Sequence, residues 1–236
     1  MQMIKYQADG LEMHSELYKP EELEPRPGVL VFPEALGISD HSREKAQRLT
    51  DLGYIALVCD IHGNGLFEPD IQKLGPLIGP LHQDPMKTRA RAQGGLDALL
   101  AQKGVDGTRI AAIGFCFGGS IALELARSGA PISALAGFHC TLRTQRPEGA
   151  ANIKAKVLIA IGADDPMVDA AQRTAFEEEM RAGNVDWQMH LYGGVVHSFT
   201  NKAADQANRP DTIRYSASAD ARSWKAMSAL FDEVFA

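Results

Sequence analysis

Gly114-Phe115-Cys116-Phe117-Gly118 places a cysteine at the centre of a G-x-S-x-G spacing, directly after the apolar run Ile110–Ile113 and before a helix-forming stretch. A strand that turns sharply into a helix crowds the backbone around the apex residue, and glycines two positions to either side remove the side chains that would clash. The apex side chain is then left facing a substrate. It also stands at a helix N-terminus, where free N–H groups and the helix dipole favour a thiolate. Cys116 is therefore a candidate nucleophile for acyl transfer. In this strand-turn-helix context the nucleophile is followed along the chain by an acid after a later strand and then by a histidine. Lys156–Gly162 reads as that strand, Ala163–Val168 carries the pair Asp164 and Asp165, and Gly193–Phe199 puts His197 beyond one further strand.

Other chemistries for the same residues fit less well. A dinucleotide loop needs glycine where Cys116 stands and a carboxylate after the next strand, Ala134–Phe138, which has none. A phosphate-binding G-x-x-x-x-G-K-[ST] loop is absent from the sequence. Cys59 and His62 have no third or fourth ligand at zinc-like spacing, so no metal is expected, and the motifs require no cofactor. There is no C-x-x-C for thiol redox work, and Cys59 and Cys140 are distant from Cys116 in sequence. The remaining histidines, His14, His41, His62, His82, His139 and His190, read as surface or pocket-lining residues.

The elements that must hold these side chains alternate. Two short strands, Met3–Gln7 and Glu12–Tyr18, meet at Asp9-Gly10, a hairpin-turn dipeptide. Strands follow at 28–32, 54–59, 110–113, 134–138, 157–161 and 187–191, and helices at 42–52, 87–102, 118–127, 168–181 and 218–234. Uninterrupted apolar strands between helices call for a mostly parallel sheet covered on both faces, an α/β doubly wound architecture. The last strand alternates Trp187, Met189 and Leu191 with polar residues, as an edge strand does. No linker or repeat divides the chain, so one domain over 1–236 is expected. Gly63–Pro85, with four prolines, and Thr200–Ser216 read as irregular insertions and candidate pocket walls.

Composition narrows the partners. With 236 residues, 45% hydrophobic and 23% charged, the chain can bury a core without disulfides. A net charge of -6, from 24 basic and 30 acidic residues, leaves no footprint for nucleic acid. No apolar run approaches a membrane span, the first ten residues do not form a signal-peptide block, and three cysteines suit a reducing compartment, so a cytoplasmic protein is expected. Either a monomer or a dimer is compatible.

Gly114-Phe-Cys-Phe-Gly-Gly119, Gly162-Ala-Asp-Asp-Pro-Met-Val168, His197-Ser-Phe199 and Phe32-Pro-Glu-Ala-Leu-Gly37 together resemble the dienelactone hydrolase family, the cysteine branch of the α/β-hydrolases, from about Val29 onward. The resemblance implies an α/β-hydrolase fold with an N-terminal antiparallel hairpin. It implies Cys116 as nucleophile, His197 as general base and Asp165 as its orienting acid, since the family aspartate stands three residues after the strand-ending glycine. It also makes Glu34 the glutamate beside the nucleophile, holding the resting thiol uncharged. Two N–H donors must face the developing oxyanion, and Phe117 and Ala35 stand where these belong. The implied activity is hydrolysis of a small ester or lactone through a cysteinyl acyl intermediate. A thioesterase, a broad esterase and a non-catalytic ligand-binding module are the alternatives. Family members that act on dienelactone hold the substrate carboxylate with arginines, one of them four residues after the histidine. That position here is Asn201, so neutral substrates are expected unless Arg89, Arg91 or Lys202 reaches the pocket.

Overall fold

The computed structural model describes residues 1–21 and 24–236. Its strands are β1 (Gln2–Ala8), β2 (Leu11–Tyr18), β3 (Arg26–Phe32), β4 (Ile55–Val58), β5 (Val105–Phe115), β6 (Ala134–Phe138), β7 (Lys156–Gly162) and β8 (Trp187–Tyr192). They form one eight-stranded sheet in the order β1-β2-β4-β3-β5-β6-β7-β8, in which β1 and β2 are antiparallel and all pairs from β4 to β8 are parallel. This is the α/β-hydrolase arrangement with its N-terminal hairpin. Asp9 and Gly10 turn that hairpin at φ 50° and 73°, the left-handed angles a two-residue turn requires. The alternating strand β8 lies at the sheet's edge, next to β7.

Strand alternation divides the apolar side chains between two cores. Val29 and Val31 of β3, with Ala111, Ile113 and Phe115 of β5, face α1 (Asp40–Asp51) and α6 (Ala217–Phe235). Leu30, Phe32, Ile110 and Ala112 face the opposite layer, α3 (Pro85–Leu100), α4 (Phe117–Arg127) and α5 (Ala170–Ala182). Both faces of the central strands are therefore dry, which is why their sequences read as continuous apolar runs.

One expectation is corrected. The stretch 63–85 is irregular only as far as residue 70, because Leu74–Gln83 forms helix α2, preceded by a 3-10 turn at Ile71–Lys73. Pro76 falls in the first helical turn, where no N–H acceptor is needed, and only Pro80 removes an internal bond. Among the described residues no helix is long and apolar enough to cross a membrane.

Two ion-pair systems tie together helices that share a layer. Lys45 of α1, fully buried, lies 3.3 Å from Asp220 of α6. Arg127 of α4, also fully buried, donates Nε and an η nitrogen to the Glu179 carboxylate of α5 at 2.7 and 2.9 Å and another to Glu124 at 3.1 Å. The same guanidinium donates to the carbonyl of Leu142 at 3.0 Å, pinning the loop after β6. Truncating one member of such a group leaves buried carboxylates uncompensated. Arg127→Ala is expected to lower the unfolding free energy by about 3–5 kcal/mol in urea titration, and a loss below about 1 kcal/mol would show the group to be dispensable.

Candidate active site

The turn from β5 to α4 holds Cys116 at φ 53° and ψ −122°, a backbone state that costs on the order of 1–3 kcal/mol and persists only where its surroundings enforce it. Here the Cys116 N–H donates to the Phe138 carbonyl at 3.0 Å, and the Gly119 N–H donates to the Cys116 carbonyl at 3.1 Å. A Cβ on Gly114 would overlap the Gly118 carbonyl, and one on Gly118 would overlap the carbonyl oxygens of Phe32 and Pro33. All three clashes are with backbone, so both glycines are needed. The close approach at Gly118 also seats the elbow on the loop after β3, where Glu34 and Ala35 follow.

Of the two candidate aspartates, Asp165 is buried and Asp164 exposed. Asp165 Oδ1 accepts the Met167 N–H at 2.8 Å, which leaves Oδ2 to face His197 Nδ1 at 2.8 Å. His197 is held by its own backbone, its N–H donating to Thr212 and its carbonyl accepting from Arg214, both at 3.1 Å. Its Nε2 is buried without a hydrogen-bond partner among the described residues. Burial works against a charged imidazole, but Cys116 and Asp165 outweigh it and raise the His197 pKa to about 10. The thiol, imidazole and carboxylate thus lie in one chain of influence, with Cys116 half-buried at its head.

Glu34 is buried at 6% exposure, not a surface acid. Its Oε2 accepts Asn201 Nδ2 at 2.6 Å and its Oε1 accepts Ser198 Oγ at 3.3 Å. Burial raises its pKa, and the Asn201 and Ser198 hydrogen bonds and the His197 charge oppose that rise. Asn201 is occupied at both ends, its Oδ1 accepting the Ala203 N–H at 2.9 Å. The amide expected to meet substrate is turned to Glu34 instead. Arg89 donates to Glu124 at 2.9 Å, and Arg91 to Asp9 at 2.9 Å and the Ile61 carbonyl at 2.7 Å, while Lys202 is exposed. The N–H groups of Ala35 and Phe117 meet no backbone acceptor among the described residues.

Two cavities beside the elbow are walled by residues of 81–88 and by the loop after β6. One of about 310 Å³ is lined by His82, Thr141, Arg143, Thr144 and Gln145, and a smaller neighbour reaches Phe117 and Ser120. Burial lowers the pKa of His82, whose ring meets Phe117 edge-on at 4.7 Å.

The dienelactone hydrolase family profile matches residues 13–235. A Bradyrhizobium protein named a probable 2-oxo-3-(5-oxofuran-2-ylidene)propanoate lactonase is 29% identical over 194 residues, covering 78% of this chain and 77% of that one. The crystal structure of a dienelactone hydrolase-like promiscuous phosphotriesterase from metagenomic libraries superposes with a TM-score of 0.95 at 44% identity, covering 99% and 97% of the two chains. The chain belongs to the dienelactone hydrolase family. Membership makes it a carboxylic ester hydrolase. Within this family member several site residues carry no local motif. Asp60, at the end of β4, accepts the N–H groups of His14, His62, Gly63 and Gly65 and so builds the turn that aims His62 Nε2 at the Ala35 carbonyl, 2.7 Å away. An aspartate ahead of Gly63 and Gly65 is a turn signal, but its partner loop is not readable from it. His82 and Arg143 lie far from every motif.

The raised His197 pKa has a consequence for titration. An imidazole whose folded pKa exceeds its ordinary value stabilises the fold fully below about pH 6.5 and loses that contribution as pH rises through about 10. The His197 ring signals in NMR are expected to titrate well above pH 6.5 and to move down in Asp165→Asn; a midpoint at the ordinary value would contradict the coupling.

Proposed function

We propose that the chain hydrolyses small, neutral esters and lactones by covalent catalysis at Cys116. The thiolate attacks the carbonyl carbon and the carbonyl electron pair moves to oxygen, which then accepts hydrogen bonds from the N–H groups of Phe117 and Ala35. As the tetrahedral adduct collapses, the C–O bond breaks and the leaving alkoxide takes the proton from the His197 imidazolium. The product is a thioester on Cys116; with a lactone the new hydroxyl stays on the acyl chain. Water then attacks that carbonyl while neutral His197 removes its proton, the thiolate departs, and the acid is released. Asp165 keeps Nδ1 protonated and Nε2 directed at the reacting atoms. The observation that carries this reading is the His197–Asp165 bond of 2.8 Å with Nε2 left unpaired beside a strained Cys116.

Selection for a neutral acyl group is supported by the engagement of Arg89, Arg91 and Asn201 with protein partners. Arg143 is the cation lining the cavity next to the elbow, and its side chain is 74% exposed. A second reading, turnover of neutral phosphotriesters at the same thiol, is favoured by the 44% identity to the metagenomic phosphotriesterase.

The test is kcat/KM on a matched pair of neutral and carboxylate-bearing esters for the parent and five variants. Cys116→Ala and His197→Ala are each expected to lose nearly all activity, and their combination little more, because groups acting as one unit are non-additive. Asp165→Asn is expected to be severe and Asp164→Asn mild. Full activity in Cys116→Ala would remove the mechanism, and a parental preference for the anion of about tenfold or more, worth about 1.4 kcal/mol, would remove the substrate assignment.

A further inference from the structure

Three polar side chains of the buried layer beneath the elbow have no part in the acyl-transfer steps. His41 opens α1, His139 follows β6, and Thr200 follows β8; all three are buried, at 7%, 0% and 1% exposure. Thr200 Oγ1 lies 2.8 Å from His139 Nε2 and 3.1 Å from His41 Nε2. The far nitrogens, His41 Nδ1 and His139 Nδ1, have no hydrogen-bond partner among the described residues. His41 Nδ1 stands 3.7 Å from Glu34 Oε2, and the His139 ring meets His197 edge-on at 5.1 Å.

A hydroxyl has one proton, so Thr200 can donate to only one of the two imidazoles and must accept from the other. Both rings are neutral: burial pushes the His41 pKa down to about 3, and burial also holds His139 well below its ordinary value. Two directions remain. If His41 donates to Thr200 and Thr200 to His139, then His139 carries a proton on a buried Nδ1 that meets no acceptor, and the His41 lone pair faces the Glu34 carboxylate. Both ends of that arrangement are unfavourable, since a buried unpaired donor costs about 1–3 kcal/mol. In the reverse direction His139 Nε2–H donates to Thr200, Thr200 donates to His41 Nε2, and the His41 Nδ1 proton points at Glu34.

We propose that His139, Thr200 and His41 form a one-directional hydrogen-bond relay that aims the His41 Nδ1–H at Glu34 across 3.7 Å, and that this charge–dipole contact keeps the carboxylate ionised and turned toward Asn201 and Ser198. His41 and Thr200 are then positioning residues for Glu34. The relay rests on the reading of Glu34 as part of the site, and it deepens that reading by assigning what sets the glutamate's state. The groups facing Glu34 are His41 and Lys45 from α1, and His197, Ser198 and Asn201 from the loop after β8. Of these, His41 is the one whose tautomer Thr200 dictates. Without the hydroxyl the ring is free to take the Nε2–H tautomer, which presents a lone pair to the carboxylate.

The experiment reads both ends of the relay in the full-length protein. Nitrogen-15 spectra of the imidazoles, assigned with His41→Gln and His139→Gln, are expected to give Nδ1–H for His41 and Nε2–H for His139. The same tautomer on both rings, or the reverse assignment, overturns the relay. Infrared titration then follows the protonated carboxyl band that disappears in Glu34→Gln. Its midpoint is expected to rise by about half to one pH unit in Thr200→Val, the scale of one lost weak interaction, and to stay in place in Thr200→Ser. An unmoved midpoint in folded Thr200→Val overturns the proposal, and the parent's imidazole spectra decide it if that variant does not fold. Neither readout uses turnover, so failure of the relay is distinct from failure of the acyl-transfer reading, which the Cys116 variants report.

Discussion

The backbone of Cys116 is the constraint on which the rest of the structure depends. Holding an L residue at φ 53° and ψ −122° requires the chain on either side to be fixed more firmly than the strain can relax. That demand accounts for Gly114 and Gly118, whose missing side chains leave room for backbone carbonyls. It also accounts for the position of β5 inside the sheet, between β3 and β6. The neighbour on one side receives the Cys116 N–H through Phe138, and the neighbour on the other supplies the loop that carries Glu34 and Ala35. A nucleophile on an edge strand would have only one such support.

Charge burial does the complementary work of placing loops. Arg127 ties the loop after β6 to α4 and α5, and Gln172 of α5 accepts the Leu142 N–H at 2.6 Å while donating to the Met167 carbonyl at 3.0 Å. The cavity wall and the loop of Asp165 are therefore held by the same helix. Asp60 plays the equivalent part for the loop that touches Ala35. Buried ion groups of this kind contribute less to net stability than to fixing one arrangement, and here the arrangement they fix is that of the site.

Much of this was legible in the sequence because local physics dictated it. Val29–Phe32 and Val157–Ile161 are apolar on both faces, which only a doubly covered parallel sheet explains. The spacing of Gly114, Cys116 and Gly118 follows from a local steric requirement, and the order Cys116, Asp165, His197 from the topology. Helix α2 was hidden because Pro76 and Pro80 read as breakers, although a proline in a first turn breaks nothing. The orientation of Asn201 and the meeting of His41, His139 and Thr200 were illegible for another reason. Their contacts join residues separated by 167, 159 and 61 positions, and no local pattern encodes which buried polar groups tertiary packing will pair.

The central claim is that Cys116 carries the acyl group. Rapid-quench intact-mass spectrometry of the parent protein with a slowly hydrolysed neutral ester measures this directly, with peptide mapping to locate the adduct. The account predicts an added mass equal to the acyl group, located on the peptide containing Cys116, appearing before steady-state turnover and decaying with it. Turnover with no adduct, or an adduct on another residue such as Ser120, would contradict it.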